Sequence, residues 1–95
     1  MCRNIRVLHH FQPPTSPEEV AAAALQYVRK VSGLQKAPAA GAAAFDRAVR
    51  EVARATQALL EALPEHGEPR TREGERDKAR ARWEKRLLAL PRTGR

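Results

Sequence analysis

Apolar side chains recur at helical spacing over the segment from residue 16 to residue 33. The positions that share this face are Val20, Ala24, Val28 and Val31. The hydroxyl of Ser16 can accept a hydrogen bond from a free amide of the first turn, and Glu19 can reach back to the Ser16 amide in a capping box. Gly33 can adopt the left-handed conformation that ends a helix. The pattern therefore predicts a first helix over residues 16–33.

A second segment, residues 42–63, has apolar positions at alternating spacings of four and three. These positions are Phe45, Val49, Val52, Thr56, Leu59 and Leu63. They form a heptad seam, and Pro38 and Gly41 in the connector before it argue against one continuous helix. We expect an antiparallel αα-hairpin in which the seam packs on the first helix. A homodimer that pairs through the Phe45–Leu63 seam is the alternative.

The C-terminal part of the chain predicts a third helix after a linker. Residues 64–74 are polar and contain two prolines and two glycines, a composition typical of a mobile linker. The third helix is expected over about 75–90, with Arg72 as an alternative start, and Pro91 should end it. One face is apolar and consists of Ala79, Trp83, Leu87 and Leu90. We favour docking of Trp83 and Leu87 on the hairpin with the basic face in solvent, and we leave open docking on a second subunit or none at all.

Residues 1–14 contain too few alternating positions for a strand that could find a partner. We expect an extended arm over the helices, anchored by Ile5, Leu8 and Phe11, with a first helical turn as the alternative. The predicted fold is therefore all-α. It has a helical-hairpin core with its arm (1–63), a linker (64–74) and a basic amphipathic helix with its tail (75–95).

Length and composition restrict the class of protein. A chain of 95 residues forms one domain, and no apolar run approaches the ~20 residues of a membrane span. The N-terminus has no apolar stretch typical of a secretory signal, and a single cysteine excludes an internal disulfide. We therefore expect a cytoplasmic protein.

The net charge of +7 is concentrated near the C-terminus. Residues 70–95 contain 10 Lys and Arg against 4 Asp and Glu, whereas residues 1–69 contain 8 against 7. A basic helix can follow a phosphate backbone, and an exposed indole can stack on a base. The candidate nucleic-acid or polyanion contacts are Arg76, Lys78, Arg80, Arg82, Trp83, Lys85 and Arg86. Acidic residues interrupt the patch, so it predicts binding without sequence preference, with an anionic membrane surface as a weaker alternative.

The sequence resembles a small bacterial family known as domain of unknown function 2277. The resemblance is carried by residues 1–6, by Leu8, Phe11 and the Pro13–Pro14 pair, and by the run 23–33 ending at Gly33. Residues 44–49, 51–53 and 78–82 fit its continuation. His10 and Gly41 stand where the family pattern has asparagine, or close to it. The resemblance implies a bacterial, cytoplasmic protein and implies no activity.

Cys2 is the most reactive position in the sequence. Removal of Met1 would place its thiol beside the α-amine, and Arg3 and Arg6 would favour the thiolate, as in an N-terminal nucleophile or redox thiol. A metal site would use Cys2 with His9 and His10, although adjacent histidines point to different sides of an extended chain. The alternative is a small buried residue that anchors the arm.

The sequence favours a non-enzymatic interaction protein whose tail binds nucleic acid or another polyanion. It contains no Gly-rich phosphate loop, no Ser/His/Asp arrangement and no carboxylate pair suited to acid–base catalysis. No cofactor is predicted. A thiol-dependent enzyme, redox or metal protein centred on Cys2 is the alternative, and a structural homodimer is a further one.

Overall fold

The computed structural model describes residues 3–90 and contains three helices. They are α1 (Pro17–Ser32), α2 (Ala42–Ala62) and α3 (Arg72–Ala89). The described residues form no β-strand, so the predicted all-α fold is confirmed. α3 starts at the earlier of its two expected positions, and Pro91 lies outside the described range. None of these helices is both long and apolar enough to cross a membrane.

Both ends of α1 are formed as the sequence predicts. The Ser16 hydroxyl accepts from the Glu19 amide at 3.2 Å, and the Glu19 carboxylate accepts from the Ser16 amide at 2.8 Å. Gly33 has a φ of 76°, and its amide donates to the Arg29 carbonyl. Local hydrogen bonds thus fix α1 independently of tertiary contacts.

The hairpin core lies between α1 and α2, the only two helices in residues 3–90 whose backbones pack together. Its buried side chains are Val20, Ala24, Val28 and Phe45. The heptad seam of α2 divides along its length, since Phe45 is buried whereas Leu59 and Leu63 are exposed. Packing on α1 therefore uses only the first part of the seam. A homodimer through the remainder stays a prediction.

The N-terminal arm forms neither a strand nor a helical turn within its described residues, and its backbone bends at several positions. Leu8 and Phe11 are buried as expected, whereas Ile5 is 40% exposed. The Asn4 amide donates to the side-chain carbonyl of Gln26 at 2.7 Å, which ties the arm to α1. The arm is therefore part of the packed structure.

Arg70 joins the predicted linker to the arm. Its amide donates to the His10 carbonyl at 2.7 Å, and its carbonyl accepts from the Gln12 amide at 2.8 Å, forming a parallel bridge beside Phe11. Its guanidinium also donates to the His9 carbonyl at 2.7 Å. The sequence predicted a mobile linker over 64–74, but its end is hydrogen-bonded to the arm.

α3 does not dock on the hairpin, so this expectation from the sequence was wrong. Trp83 and Leu87, which were expected to contact it, are 52% and 46% exposed. The reason is the anchor at Arg70, which directs the start of α3 along the arm. An amphipathic pattern indicates that a face can be covered and does not identify what covers it.

The Glu19 carboxylate holds the start of α3 and the arm against α1. Two nitrogens of Arg72 donate to its two oxygens at 3.1 and 2.8 Å, and Arg6 donates to it at 3.3 Å. Arg72 also donates to the carbonyls of Pro13 and Pro14. The hydrogen bond from Arg72, together with the one from the Ser16 amide, lowers the pKa of Glu19 from 4.5 to about 2.

Substitution of Glu19 by Gln should destabilise the fold in a pH-dependent way. Gln keeps the shape and the capping box but removes the charge that pairs with Arg72. At neutral pH we expect the free energy of unfolding to fall by about 2 kcal/mol. The folded-state pKa is lowered, so the carboxylate's contribution is fully present above about pH 4.5 and is lost as the pH falls towards 2.

The measurement is urea unfolding of both proteins, followed by circular dichroism at neutral pH and at steps below about pH 4.5. The difference between wild type and E19Q should shrink as the pH falls. A difference that stays constant over this range would show that the charge of Glu19 does not contribute.

Gly41 precedes α2 with a φ of 95° and caps it without a side chain. A Cβ atom there would meet only Pro38, at 3.9 Å, so backbone conformation and not space restricts this position. Gly41→Ala should cost about 1 kcal/mol, and Gly41→Asn should be close to neutral because Asn tolerates this region. Urea midpoints test both variants. Equal stability of the two would contradict the conformational explanation.

Candidate functional site: an arginine-lined cleft

A cleft of about 700 Å³ lies between the N-terminal arm and residues 72–82 of α3. Its walls carry five arginines: Arg3, Arg6, Arg72, Arg76 and Arg82. Apolar side chains form part of the lining: Val7, Phe11 and Ala79. Asn4 and Glu75 complete the lining, in which Glu75 is the one residue with a carboxylate. A concave surface with this balance attracts anions that also have an apolar part.

Helical periodicity brings one wall of the cleft together. Arg72, Arg76, Ala79 and Arg82 are spaced four, three and three residues apart, so they share one face of α3. The opposite wall comes from the N-terminal arm, in which Arg3 and Arg6 flank Asn4 and Ile5. The anchor at Arg70 holds these two walls beside each other.

The arginines of the cleft divide into paired and unpaired groups. Arg6 and Arg72 both bind the Glu19 carboxylate. The hydrogen bond between Arg72 and Glu19 raises the pKa of Arg72. Arg72 also lies over the Phe11 ring, 5.3 Å from its centroid. In contrast, Arg3, Arg76 and Arg82 form no ion pair within residues 3–90. These three guanidiniums remain available to an incoming anion.

The negative charge of Glu75 inside the cleft is partly neutralised by a neighbouring lysine. Glu75 accepts from the ammonium of Lys78 at 3.3 Å. Both side chains belong to α3, and Lys78 is exposed. The pair reduces the repulsion that Glu75 would exert on an anionic ligand, although a surface ion pair of this kind is weak.

The structure brings only part of the predicted basic set into the cleft. Arg76 and Arg82 line it. Trp83 and Arg86 continue the same face further along α3, with the Arg86 guanidinium 6.0 Å from the indole. Arg80 instead pairs with Asp77 at 3.4 Å, outside the cleft.

Two further lysines of the predicted set lie outside the cleft as well. Lys78 pairs with Glu75, and Lys85 lies on the far side of α3, half a turn around from Arg76. Charge alone therefore did not identify the face of α3 that meets the arm.

Sequence reasoning missed the arm as a source of ligand contacts. Arg3 and Arg6 were considered only as neighbours that could activate Cys2. Arg72 was considered only as a helix start. The available signal was the presence of two arginines, Arg3 and Arg6, within four residues of the arm.

Cys2 lies outside the described residues, so its proposed thiol chemistry stays a prediction. Of its suggested metal partners, His10 places Nε2 2.9 Å from the Gly67 carbonyl, and the buried Nε2 of His9 has no hydrogen-bond partner among the described residues. Within residues 3–90, no three His, Cys, Asp or Glu side chains are placed to share a metal ion.

Comparison with known families gives a match over most of the chain. The family model described as an uncharacterized conserved protein (DUF2277) matches residues 1–78. The chain belongs to the DUF2277 family. This confirms the resemblance found in the sequence. No curated protein and no solved structure matches the chain.

The DUF2277 match covers most of the cleft. It includes the arm, Glu19 and the first two turns of α3 with Arg72 and Arg76, and it ends before Arg82 and Trp83. The anchoring contacts that place α3 beside the arm therefore lie within the family region.

Substitution of Arg72 by Lys should loosen the cleft while keeping its charge. Lys cannot donate to both oxygens of Glu19 and also to the Pro13 and Pro14 carbonyls, because it has no planar fork of donors. We expect hydrogen exchange at the bridge amides of Gln12 and Arg70 to accelerate by about tenfold or more. Exchange detected by NMR measures this change.

The matched control is Arg76→Lys, one turn further along α3, which forms no ion pair in the described residues. Its bridge amides should keep their protection. Similar acceleration in both variants would show that the arm is not held through Arg72.

Proposed function

We propose that this protein binds phosphate-bearing polyanions, single-stranded nucleic acid in particular, in the cleft between the arm and α3. The observation that carries the proposal is the set of unpaired guanidiniums, Arg3, Arg76 and Arg82, on the walls of one concave surface. Arginine binds phosphate oxygens through two parallel hydrogen bonds, so it suits this ligand better than lysine does.

The position of the arginines supports a ligand with several phosphates. The arm contributes Arg3 from one wall, and α3 contributes Arg76 and Arg82 from the other, about 1.7 turns apart along the helix. A single phosphate cannot contact all three in bidentate fashion, whereas a flexible strand can place successive phosphates along the cleft. The net charge of +7 favours the approach of such a strand.

The lining between the arginines supports binding without sequence preference. Val7, Phe11 and Ala79 offer apolar surface to sugars and bases. Asn4 and Glu75 are the uncharged and acidic polar side chains of the lining, too few to read a series of base edges. Most of the affinity should therefore come from phosphate contacts and should depend strongly on salt.

Binding of a short labelled single strand across a salt series tests the proposal. The informative variant is Arg76→Gln combined with Arg82→Gln, which removes two positive charges from the cleft. The matched control is Arg80→Gln combined with Lys85→Gln, which removes two charges from the same helix outside the cleft. Gln and Arg have similar helix propensities, so α3 should be retained.

We expect the cleft variant to weaken binding at least about tenfold and to lower the salt slope by roughly 1.4, since each lost contact to a single strand contributes about 0.7. The control should change both quantities much less. A polyglutamate peptide of similar charge should bind more weakly than the strand, because its carboxylates do not repeat at phosphate spacing.

Two results would overturn the proposal. Equal weakening in the two double variants would assign the effect to the total charge of the chain. An absence of binding by the wild type, even at low salt, would remove nucleic acid as a ligand.

A further inference from the structure

The chain exposes more surface than a compact protein of its size. A folded monomer of 10.6 kDa is expected to expose about 5,500 Å², whereas this chain exposes 7674 Å². If the seven residues outside the described range were as exposed as in an unfolded chain, they would account for about 1,200 Å², and an excess of about 1,000 Å² would remain. A standard interface buries about 800 Å² on each partner. The excess is therefore large enough for a stable dimer.

The shape of the chain explains the excess. Its Cα atoms extend over 52 × 42 × 16 Å, with a radius of gyration of 17.4 Å, against about 12 Å for a compact chain of this length. The helices thus form a single layer. Stable domains bury the apolar faces of such a layer against a second one.

One uncovered apolar surface lies on the hairpin. A hollow of about 340 Å³ at its connector end is lined by apolar side chains of α1, α2 and the connector, including Tyr27, Val31, Leu34, Phe45 and Val52. Val31 is 69% exposed there. No described residue of α3 lines this hollow.

The second uncovered apolar surface lies on the C-terminal half of α3. Trp83, Leu87 and Leu90 share one face and are each about half exposed. This face cannot reach the hollow of its own chain, because α3 is anchored through Glu19 at the opposite end of the hairpin and packs on neither α1 nor α2. The occupant must come from another molecule.

We propose that the hollow of each chain receives the Trp83 face of α3 from a second copy. When the same two copies exchange these surfaces, so that each hollow receives the other copy's α3, a two-fold axis closes the pair into a dimer. Each copy supplies the second layer that the other lacks. The lining of the arginine cleft ends at Arg82, so Trp83, Leu87 and Leu90 are not part of it. This inference is independent of nucleic-acid binding.

Sedimentation equilibrium and the fluorescence of Trp83, the one tryptophan of the chain, test the proposal together. We expect a mass twice that of the 10.6 kDa chain, and an emission maximum that moves to shorter wavelength as the concentration rises. Trp83→Ala and Val31→Glu should each give a monomer, and Val31→Glu should keep the emission of an exposed indole at all concentrations. Both positions are exposed in the single chain, so the fold should survive, as circular dichroism would show.

The matched control is Leu88→Ala, which removes an apolar side chain from another face of α3 and should remain dimeric. Leu59→Glu tests the heptad seam instead. A wild type that is monomeric throughout would overturn the proposal. So would a dimer that dissociates in Leu59→Glu but persists in Trp83→Ala and Val31→Glu. The Val31→Glu variant, whose change lies on the hairpin and outside the cleft, should keep the salt-dependent binding of a single strand, which separates this test from that of the cleft.

Discussion

The Glu19 carboxylate is the interaction on which the arrangement of this molecule depends. One group closes the capping box of α1, binds Arg6 of the arm and accepts two hydrogen bonds from Arg72 at the start of α3. Three elements that are distant in sequence therefore meet at one charge. Because α3 has no packed helix beside it, its direction is set by this pair and by the bridge at Arg70. A buried apolar contact would have been stronger, but it would not have fixed an orientation as narrowly as a bidentate pair does.

This architecture separates two roles among similar side chains. Arg70 and Arg72 donate to backbone carbonyls of the arm, and Arg72 is neutralised by Glu19, so both belong to the scaffold. Arg3, Arg76 and Arg82 have no such partners among the described residues and face the cleft. The positive charge available to a ligand is therefore that of the arginines that form no ion pair within the scaffold. A count of all basic residues overestimates this charge, whereas the geometry of the ion pairs shows which arginines carry it.

The parts of the fold that the sequence predicted are those determined by local interactions. The capping box at Ser16, the stop at Gly33 and the hairpin of α1 with α2 all depend on residues a few positions apart, or on a short connector. The cleft could not be predicted, because Arg72 and Glu19 are 53 positions apart and nothing in either local pattern specifies the other. The prediction that Trp83 docks on the hairpin was wrong for a related reason. Helical periodicity indicates which face is apolar, whereas the position of α3 is decided by polar contacts at its first residue.

The two departures from the family pattern have a common physical explanation. His10 has a φ of 60° and Gly41 a φ of 95°, so both positions are left-handed. Asn is one of the few residues other than Gly that adopts this conformation readily, so backbone conformation alone is a sufficient reason to expect Asn at position 10 and near position 41. Gly41 satisfies the same requirement at no steric cost. His10 meets it less easily, but its carbonyl accepts from Arg70 and its ring contacts the Gly67 carbonyl. The backbone at His10 is thus held by the same bridge that positions α3, so the departure is compatible with the family fold.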